Sequence, residues 1–343
     1  MERLLLALLA FYCGLPWAYG DRFLPPSDNG AVRDSLHYLQ NAGTARGNGG
    51  FGMVRERGTR FHGGIDIRPL RRRWDGEPAD AVKATAAGTV VYVNGRAEDS
   101  TYGKYVLVEH DGLPLPLLSL YGHLAAVHPG IVAGRRLAAG DPLGTMGRTA
   151  GGYVIEKDHA HLHFELALRL GEEREFSDWY RRQQFSLPNY HGQWNGLNLV
   201  SLDPLPLLRT AGEFSLAEYV RSLPTAFETR IRTAEPPPFL RRYGALRDGP
   251  ADDFIVEWTW FGLPKRWRPL PPTADRPKNA EITLLHVNPE WLSAACARGT
   301  LQRGRNGSLR LGKRTVDTLE KIFGNSVKTL DSSAPVPSAE LEK

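Results

Sequence analysis

The sequence predicts a mainly β chain: an antiparallel β-sheet or barrel-like core that carries a helical insertion and is followed by a small C-terminal α+β module. Three observations predict it. From about Phe51 to Pro206, short apolar runs recur between glycine-bearing turns without helical patterns between them, as in antiparallel sheets and barrels. Glu172–Gln184 interrupts this rhythm with a charged, aromatic run that predicts a helical insertion. Beyond the stiff Ala234-Glu235-Pro236-Pro237-Pro238 segment, strand-like and helix-like runs alternate. The 36 glycines and 25 prolines suit a chain with many turns, and the 41% hydrophobic content marks it as globular. At 343 residues the chain can hold two modest domains, because single cores rarely grow past ~250 residues.

Taken in order, residues 1–20 read as a signal peptide. Arg3 supplies the positive start, Leu4 to Trp17 the apolar stretch, and Ala18-Tyr19-Gly20 the small residues before a cut at Asp21. Gly14 and Pro16 interrupt a run already too short to span a membrane. Cys13 follows Tyr12, which argues against a lipoprotein anchor. Residues 21–50 form a lead-in, with a helical turn over Ser35–Gln40 and a flexible Gly47–Gly50. The β domain covers 51–206. Its predicted strands are Ala86–Gly95, Lys104–His110, two between Gly130 and Gly144, and His159–Leu168. Pro188–Asn198 is a loop, and Asp203-Pro204 closes the domain. Residues 207–327 form the α+β module, with strands at Phe254–Phe261 and Glu281–Val287 and helices at Pro289–Arg298 and Thr315–Phe323. Residues 328–343 are a Pro/Ser/Glu tail without the composition of a packed segment.

With the signal peptide removed only Cys296 remains, so the mature chain has no internal disulfide and no cysteine cage for a metal. A metal must then be held by His, Asp or Glu. Of the ten histidines, six lie between His110 and His163. His62-Gly63-Gly64-Ile65-Asp66 places an imidazole and a carboxylate four residues apart, on one face if the segment is extended. The two glycines permit close approach of a metal or a neighbouring strand. His161 and His163 share a face by the same alternation. Tyr121-Gly122-His123-Leu124 adds a histidine beside a glycine. Zinc takes tetrahedral N and O ligands, and a catalytic site keeps one position for water. His62, Asp66 and one or both of His161 and His163 would supply three ligands, with the remaining histidines left to move protons or stabilise an oxyanion.

The ordered set resembles the lysostaphin/LytM-type zinc metallopeptidases over about Gly58 to Leu168. The resemblance is carried by Phe61-His62-Gly63-Gly64-Ile65-Asp66-Ile67, Ala87-Gly88-Thr89-Val90-Val91-Tyr92, Tyr102-Gly103-Lys104-Tyr105-Val106, Glu109-His110, Leu120-Tyr121-Gly122-His123-Leu124, Gly140-Asp141-Pro142-Leu143-Gly144, Gly147-Arg148-Thr149 and His161-Leu162-His163-Phe164-Glu165. It implies a zinc metallopeptidase domain over 51–206 with an open groove, His62, Asp66 and His163 as Zn2+ ligands, and His123 and His161 as the catalytic pair. It further implies an exported endopeptidase, in the periplasm or cell envelope, that hydrolyses peptide crosslinks of peptidoglycan. All five positions are filled, whereas inactive relatives with regulatory roles typically lose ligands. The rival readings are a non-catalytic envelope regulator or wall-binding protein of the same fold, and a peptidase of a non-wall protein. The sequence departs from the family pattern after Thr149, at His159, and in the 172–198 insertion.

Other residues have plainer readings. Glu165 either orients a histidine or ends an exposed strand. Arg71-Arg72-Arg73 is a solvated loop, with attraction of wall carboxylates as the alternative. His159 is an exposed strand-end histidine unless it competes as a ligand. His110 and His128 are structural, His191 has no visible partner, and His286 is packed or on the surface. Trp258, Trp260 and Trp267 are either core or a sugar-stacking surface. The net charge of +5 suits an anionic wall polymer. The expected partners are peptidoglycan peptides, with no nucleic acid and no membrane span. Oligomeric state is not legible.

Overall fold

The computed structural model describes residues 23–30, 39, 49–55, 60–210, 215–271, 276–304 and 307–330. The predicted signal peptide, the helical turn over Ser35–Gln40 apart from Leu39, and residues 331–343 of the tail lie outside the described residues. The first twelve strands are β1 (Val54–Arg55), β2 (Arg60–Phe61), β3 (Ile65–Ile67), β4 (Ala81–Lys83), β5 (Gly88–Asn94), β6 (Tyr105–His110), β7 (Leu117–Gly122), β8 (Ala126–Val127), β9 (Arg136–Leu137), β10 (Pro142–Thr145), β11 (Leu162–Arg169) and β12 (Leu199–Leu202). They are followed by β13 (Phe227–Arg232), β14 (Asp253–Trp258), β15 (Pro264–Leu270), β16 (Glu281–Val287), β17 (Leu301–Arg303), β18 (Leu309–Leu311) and β19 (Lys328–Leu330). The helices are α1 (Glu173–Arg182), α2 (Pro204–Arg209), α3 (Leu216–Ser222), α4 (Pro238–Arg242), α5 (Pro289–Arg298) and α6 (Lys313–Phe323).

The main sheet runs β12-β11-β7-β6-β5-β9, and β3 pairs with β11 beyond the end of β12. Every pair in it is antiparallel. A second sheet, β4-β10-β8, is also antiparallel. Of the two expected forms, sheet or barrel-like, the open sheet is the one found: among the described residues β9 and β12 end the main sheet without pairing to each other. Strands β7 and β11 are buried at every position, because they lie centrally with neighbours on both faces. Gly130–Val132 is not a strand; the short strands of that region are β9 and β10.

The C-terminal module is built on a sheet ordered β15-β14-β13-β16-β19, in which only β16 and β19 are parallel. Strand β13, Phe-Glu-Thr-Arg-Ile-Arg, buries every second residue, the pattern of a sheet with one face on a core. Helix α5 starts where sequence rules place it. Asn288 caps the Glu290 amide, Pro289 is the first residue, and Gly299 ends the helix at φ 79°. Lys328–Leu330, placed in the tail by composition, add β19 to the sheet edge instead. Trp258 and Trp267 are fully buried, which removes them as a sugar-stacking surface. Trp260 lies in the turn after β14 and packs edge-on to Phe61 at 5.8 Å, so it does not share a strand face with Trp258.

The two halves share one continuous hydrophobic core. The boundary expected at 206/207 falls inside α2, whose Leu205, Leu207 and Leu208 are buried in that core. Helix α1, the expected insertion, buries Phe176 and Trp179 and packs against α6 of the C-terminal module. The described residues of the lead-in also join the body. Phe23 is buried against His110, Ser27 bridges Val82, and Leu39 bridges Ile67.

Candidate metal centre

The site forms where β3, β7 and β11 meet. The register sets His163 opposite Asp66 on one side and Gly122 on the other. His62 and Asp66 do not sit on one continuous strand, as the alternation argument expects. His62 follows β2, the chain turns through Gly63-Gly64, and Asp66 lies in β3. The turn is compelled by packing. A Cβ on Gly64 would stand 2.2 Å from the Phe164 carbonyl oxygen, and one on Gly63 would stand 3.0 Å from Ser201 Oγ. Only glycine lets β3 lie this close to β11.

His62 Nε2, Asp66 Oδ1 and His163 Nδ1 form a triangle with edges of 2.9, 2.9 and 3.2 Å. Donors ~2.05 Å from a tetrahedral zinc stand ~3.3 Å apart. The three buried groups can therefore hold a metal ion, and their chemistry, two imidazoles and a carboxylate, is that of a zinc site.

Hydrogen-bond partners set each imidazole. His62 Nδ1 donates to the Gly50 carbonyl at 2.7 Å, which leaves Nε2 turned toward Asp66. Gly49-Gly50, read from sequence as flexible, is therefore a held turn, and the Gly49 carbonyl also accepts from the Asp66 amide. His163 Nε2 donates to Glu165 Oε1 at 2.8 Å, leaving Nδ1 for the triangle. Glu165 is buried, not an exposed strand end. It also accepts from the Tyr102 hydroxyl at 2.9 Å and from Ser201 Oγ at 2.8 Å. This carboxylate–imidazole pairing is the usual way of fixing a ligand histidine.

His123 and His161 stand beside the triangle. Their rings are 4.8 Å apart, and His161 Nε2 is 3.4 Å from Asp66 Oδ1. Both Nδ1 atoms donate to backbone carbonyls, of Thr149 at 2.7 Å and of His159 at 2.6 Å. A carbonyl can only accept, so each neutral ring carries its proton on Nδ1 and a lone pair on Nε2. His123 holds a left-handed backbone, φ 60°, uncommon for a residue with a Cβ and frequent at functional positions.

Electrostatics separate the groups. Burial would raise the Asp66 pKa, yet the surrounding histidines His161, His62 and His163 hold it well below the carboxylate range. Burial, with repulsion from His161 and His163, pushes His123 well down, and burial also lowers His161. His163 goes the other way. Burial opposes its charge, but hydrogen bonds to Asp66 and Glu165 prevail and raise it to about 9. Burial and the neighbouring Glu165 push Tyr102 well up, so it stays a hydroxyl donor.

All five expected site residues thus converge, and sequence reasoning missed four of their supports: Gly50, Tyr102, Thr149 and Ser201. Gly50 and Thr149 act through backbone carbonyls and Ser201 through its hydroxyl from β12, remote in sequence; Tyr102 and Thr149 stood within quoted motifs. His159 is exposed, ends a short helical turn, and contributes its carbonyl. Arg71 pairs with Asp28, Arg72 donates to the Gly76 and Lys157 carbonyls, and Arg73 pairs with Asp75. His191 is held between Tyr92 and the Asp99 carbonyl. His110 is buried, while His128 and His286 are exposed.

Residues 60–174 match the model described as peptidase family M23. Among solved structures, the chain is similar to a protein assigned to peptidase M23 from Pseudomonas aeruginosa at 25% identity, covering 31% of this chain and 37% of that one, with a TM-score of 0.23. It is similar to the catalytic domain of lysostaphin from Staphylococcus simulans at 19% identity, covering 51% and 94%, with a TM-score of 0.30. A zinc-containing peptidase from Vibrio cholerae shows 20% identity over 43% of this chain and 36% of that one, with a TM-score of 0.27. The chain therefore spans well under two thirds of the Pseudomonas and Vibrio chains. No curated protein matches the sequence significantly.

Proposed function

From the match of residues 60–174 to peptidase family M23 we propose that the protein is a peptidase of the lysostaphin/LytM type, an exported zinc endopeptidase hydrolysing peptide crosslinks of bacterial peptidoglycan. The observation that carries the reading is the triangle of His62 Nε2, Asp66 Oδ1 and His163 Nδ1 with two further histidine lone pairs beside it. Those three atoms would hold Zn2+. A bound zinc supplies Lewis acidity, lowering the pKa of a water toward ~7 and polarising a carbonyl.

The chain's own groups handle the protons. Buried and neutral near pH 7, His161 offers Nε2 as a base, and Asp66 at 3.4 Å steadies its cation once a proton arrives. His123, its ring 4.8 Å away, is the second group of the pair and faces the same space with Nε2. The Thr149 and His159 carbonyls keep both rings from rotating, so neither lone pair must be reorganised during the reaction. Export is supported by the N-terminal sequence pattern, and the wall substrate by the resemblance.

The test measures zinc content and digestion of purified peptidoglycan for the mature protein, His163→Ala and His123→Ala. The expected result is about one zinc per chain and released muropeptides for the parent protein. His163→Ala should lose the metal, and His123→Ala should keep it and lose activity by about a hundredfold or more. Zinc binding without cleavage of peptidoglycan, but with cleavage of a protein, would move the substrate elsewhere. Zinc binding without any cleavage would favour a regulator, and no metal at all would overturn the site.

A further inference from the structure

Away from the histidine site, a cavity of about 890 Å³ opens between the helical insertion and the C-terminal helices α5 and α6. Four cationic side chains line it: Arg298, Lys313, Arg314 and Lys321. Their compensation is incomplete. Asp317 lies in the same wall but is bound to Lys313, both oxygens at 2.8 Å. The Lys321 amine is buried, donates to the Leu197 carbonyl at 2.6 Å and lies 4.0 Å over the Trp179 ring, with no carboxylate in contact among the described residues. The Arg298 guanidinium lies 3.9 Å over the Phe61 ring; its Nε is buried without a partner, and it makes no ion pair among the described residues. Arg314 likewise has neither a hydrogen bond nor an ion pair from its side chain among the described residues.

Only Lys321 of the four is buried, Arg298 is half-buried, and Lys313 and Arg314 are exposed at the cavity wall; gathering like charges around a partly buried cavity is costly unless something negative completes them. The cations press on one another. Burial and then Arg314 lower Arg298 to about 9. Burial lowers Lys321 to about 7, with Arg314, Lys313 and Arg298 adding to the push and Asp317 opposing it. The walls between the cations include Trp179 and Phe261, which suit the uncharged body of a ligand.

We propose that this cavity is a binding site for an oxyanion, a carboxylate or phosphate carried on a larger organic body, with Arg298 and Arg314 as its principal ligands and the Lys321 amine buried behind them. Guanidinium groups free of partners offer the paired donors that either oxyanion accepts. The cavity shares no lining residue with the histidine centre, although Arg298 stacks on Phe61 beside His62, and the proposal does not depend on what that centre cleaves.

Calorimetric titration of the full chain at constant ionic strength tests this, using inorganic phosphate, an N-acetyl tripeptide with a free C-terminal carboxylate, and the same tripeptide as its C-terminal amide. The expected result is saturable binding of at least one anion and none of the amide. Arg314→Gln, on an exposed side chain, should weaken binding about tenfold or more without loss of fold, and Arg298→Gln should do the same. Binding of the tripeptide acid assigns the ligand to peptide carboxylates, whereas binding of phosphate alone assigns it to phosphate-bearing molecules. No saturable binding of either anion, equal binding of acid and amide, or binding unchanged in a folded Arg314→Gln protein would overturn the proposal.

Discussion

At the scale of single residues, the site depends on groups that never touch the metal position. Glu165 binds His163 Nε2 and is itself held by Tyr102 and Ser201. Replacing Glu165 by Gln keeps the shape but removes the charge that fixes the His163 tautomer. Zinc affinity should fall about ten- to a hundredfold in a chelator competition, with the fold retained. Tyr102→Phe removes only one of the donors to Glu165 and should cost less than Glu165→Gln; an equal or larger loss would mean that the hydroxyl acts directly. The five histidine and aspartate positions were legible because their side chains carry the chemistry and their order is characteristic. Gly50 and Thr149 were not, since they act through carbonyls every residue possesses.

At the scale of elements, the approach of β3 to β11 decides whether the ligands meet. The Phe164 carbonyl stands where a Gly64 side chain would begin. Gly64→Ala should therefore push β3 off β11, costing roughly 3 kcal/mol or more and separating Asp66 from His163. The checks are a thermal melt and zinc content; a variant that melts like the parent and holds zinc normally would show that the strands can shift without harm. Elements with local punctuation were legible: β5 lies between turn glycines, and α5 carries its Asn288 cap and Gly299 stop. Elements defined by partners were not. Strand β3 has three residues and is a strand because β11 lies beside it, and β19 is one because β16 does. Composition marks Lys328–Leu330 as tail, and pairing overrides it.

At the scale of the whole molecule, two consequences follow from burial. His110 is 1% exposed, with Nδ1 donating to the Ala87 carbonyl and Nε2 meeting Ser119 Oγ. Burial lowers its pKa from the ordinary 6.5 to about 4. Between those values the unfolded chain binds the extra proton and the folded one does not, so stability is full above pH ~6.5 and falls as the pH drops toward ~4, by ~3 kcal/mol from this group. Melting temperature followed over that range should fall less steeply in His110→Gln than in the parent protein; parallel curves would refute the assignment. The second consequence concerns the shared core. Composition changes near residue 206, which suggests a separable β domain, but the core runs through it. Leu205, Leu207 and Leu208 of α2 join side chains of the β domain to Phe239, Tyr243 and Phe254 of the module in one cluster. Arg169, at the end of β11, gives its amide to the Tyr243 hydroxyl at 2.8 Å. Removing residues 207–343 would expose this face to water, at ~25 cal/mol for each Å² of apolar surface. A chain cut after Pro206 should therefore be insoluble or melt at least ~10 °C below the full protein, since a few kcal/mol shift a domain of this size by that much. A soluble fragment that melts with the parent would restore the two-domain reading and leave the C-terminal half free to act alone.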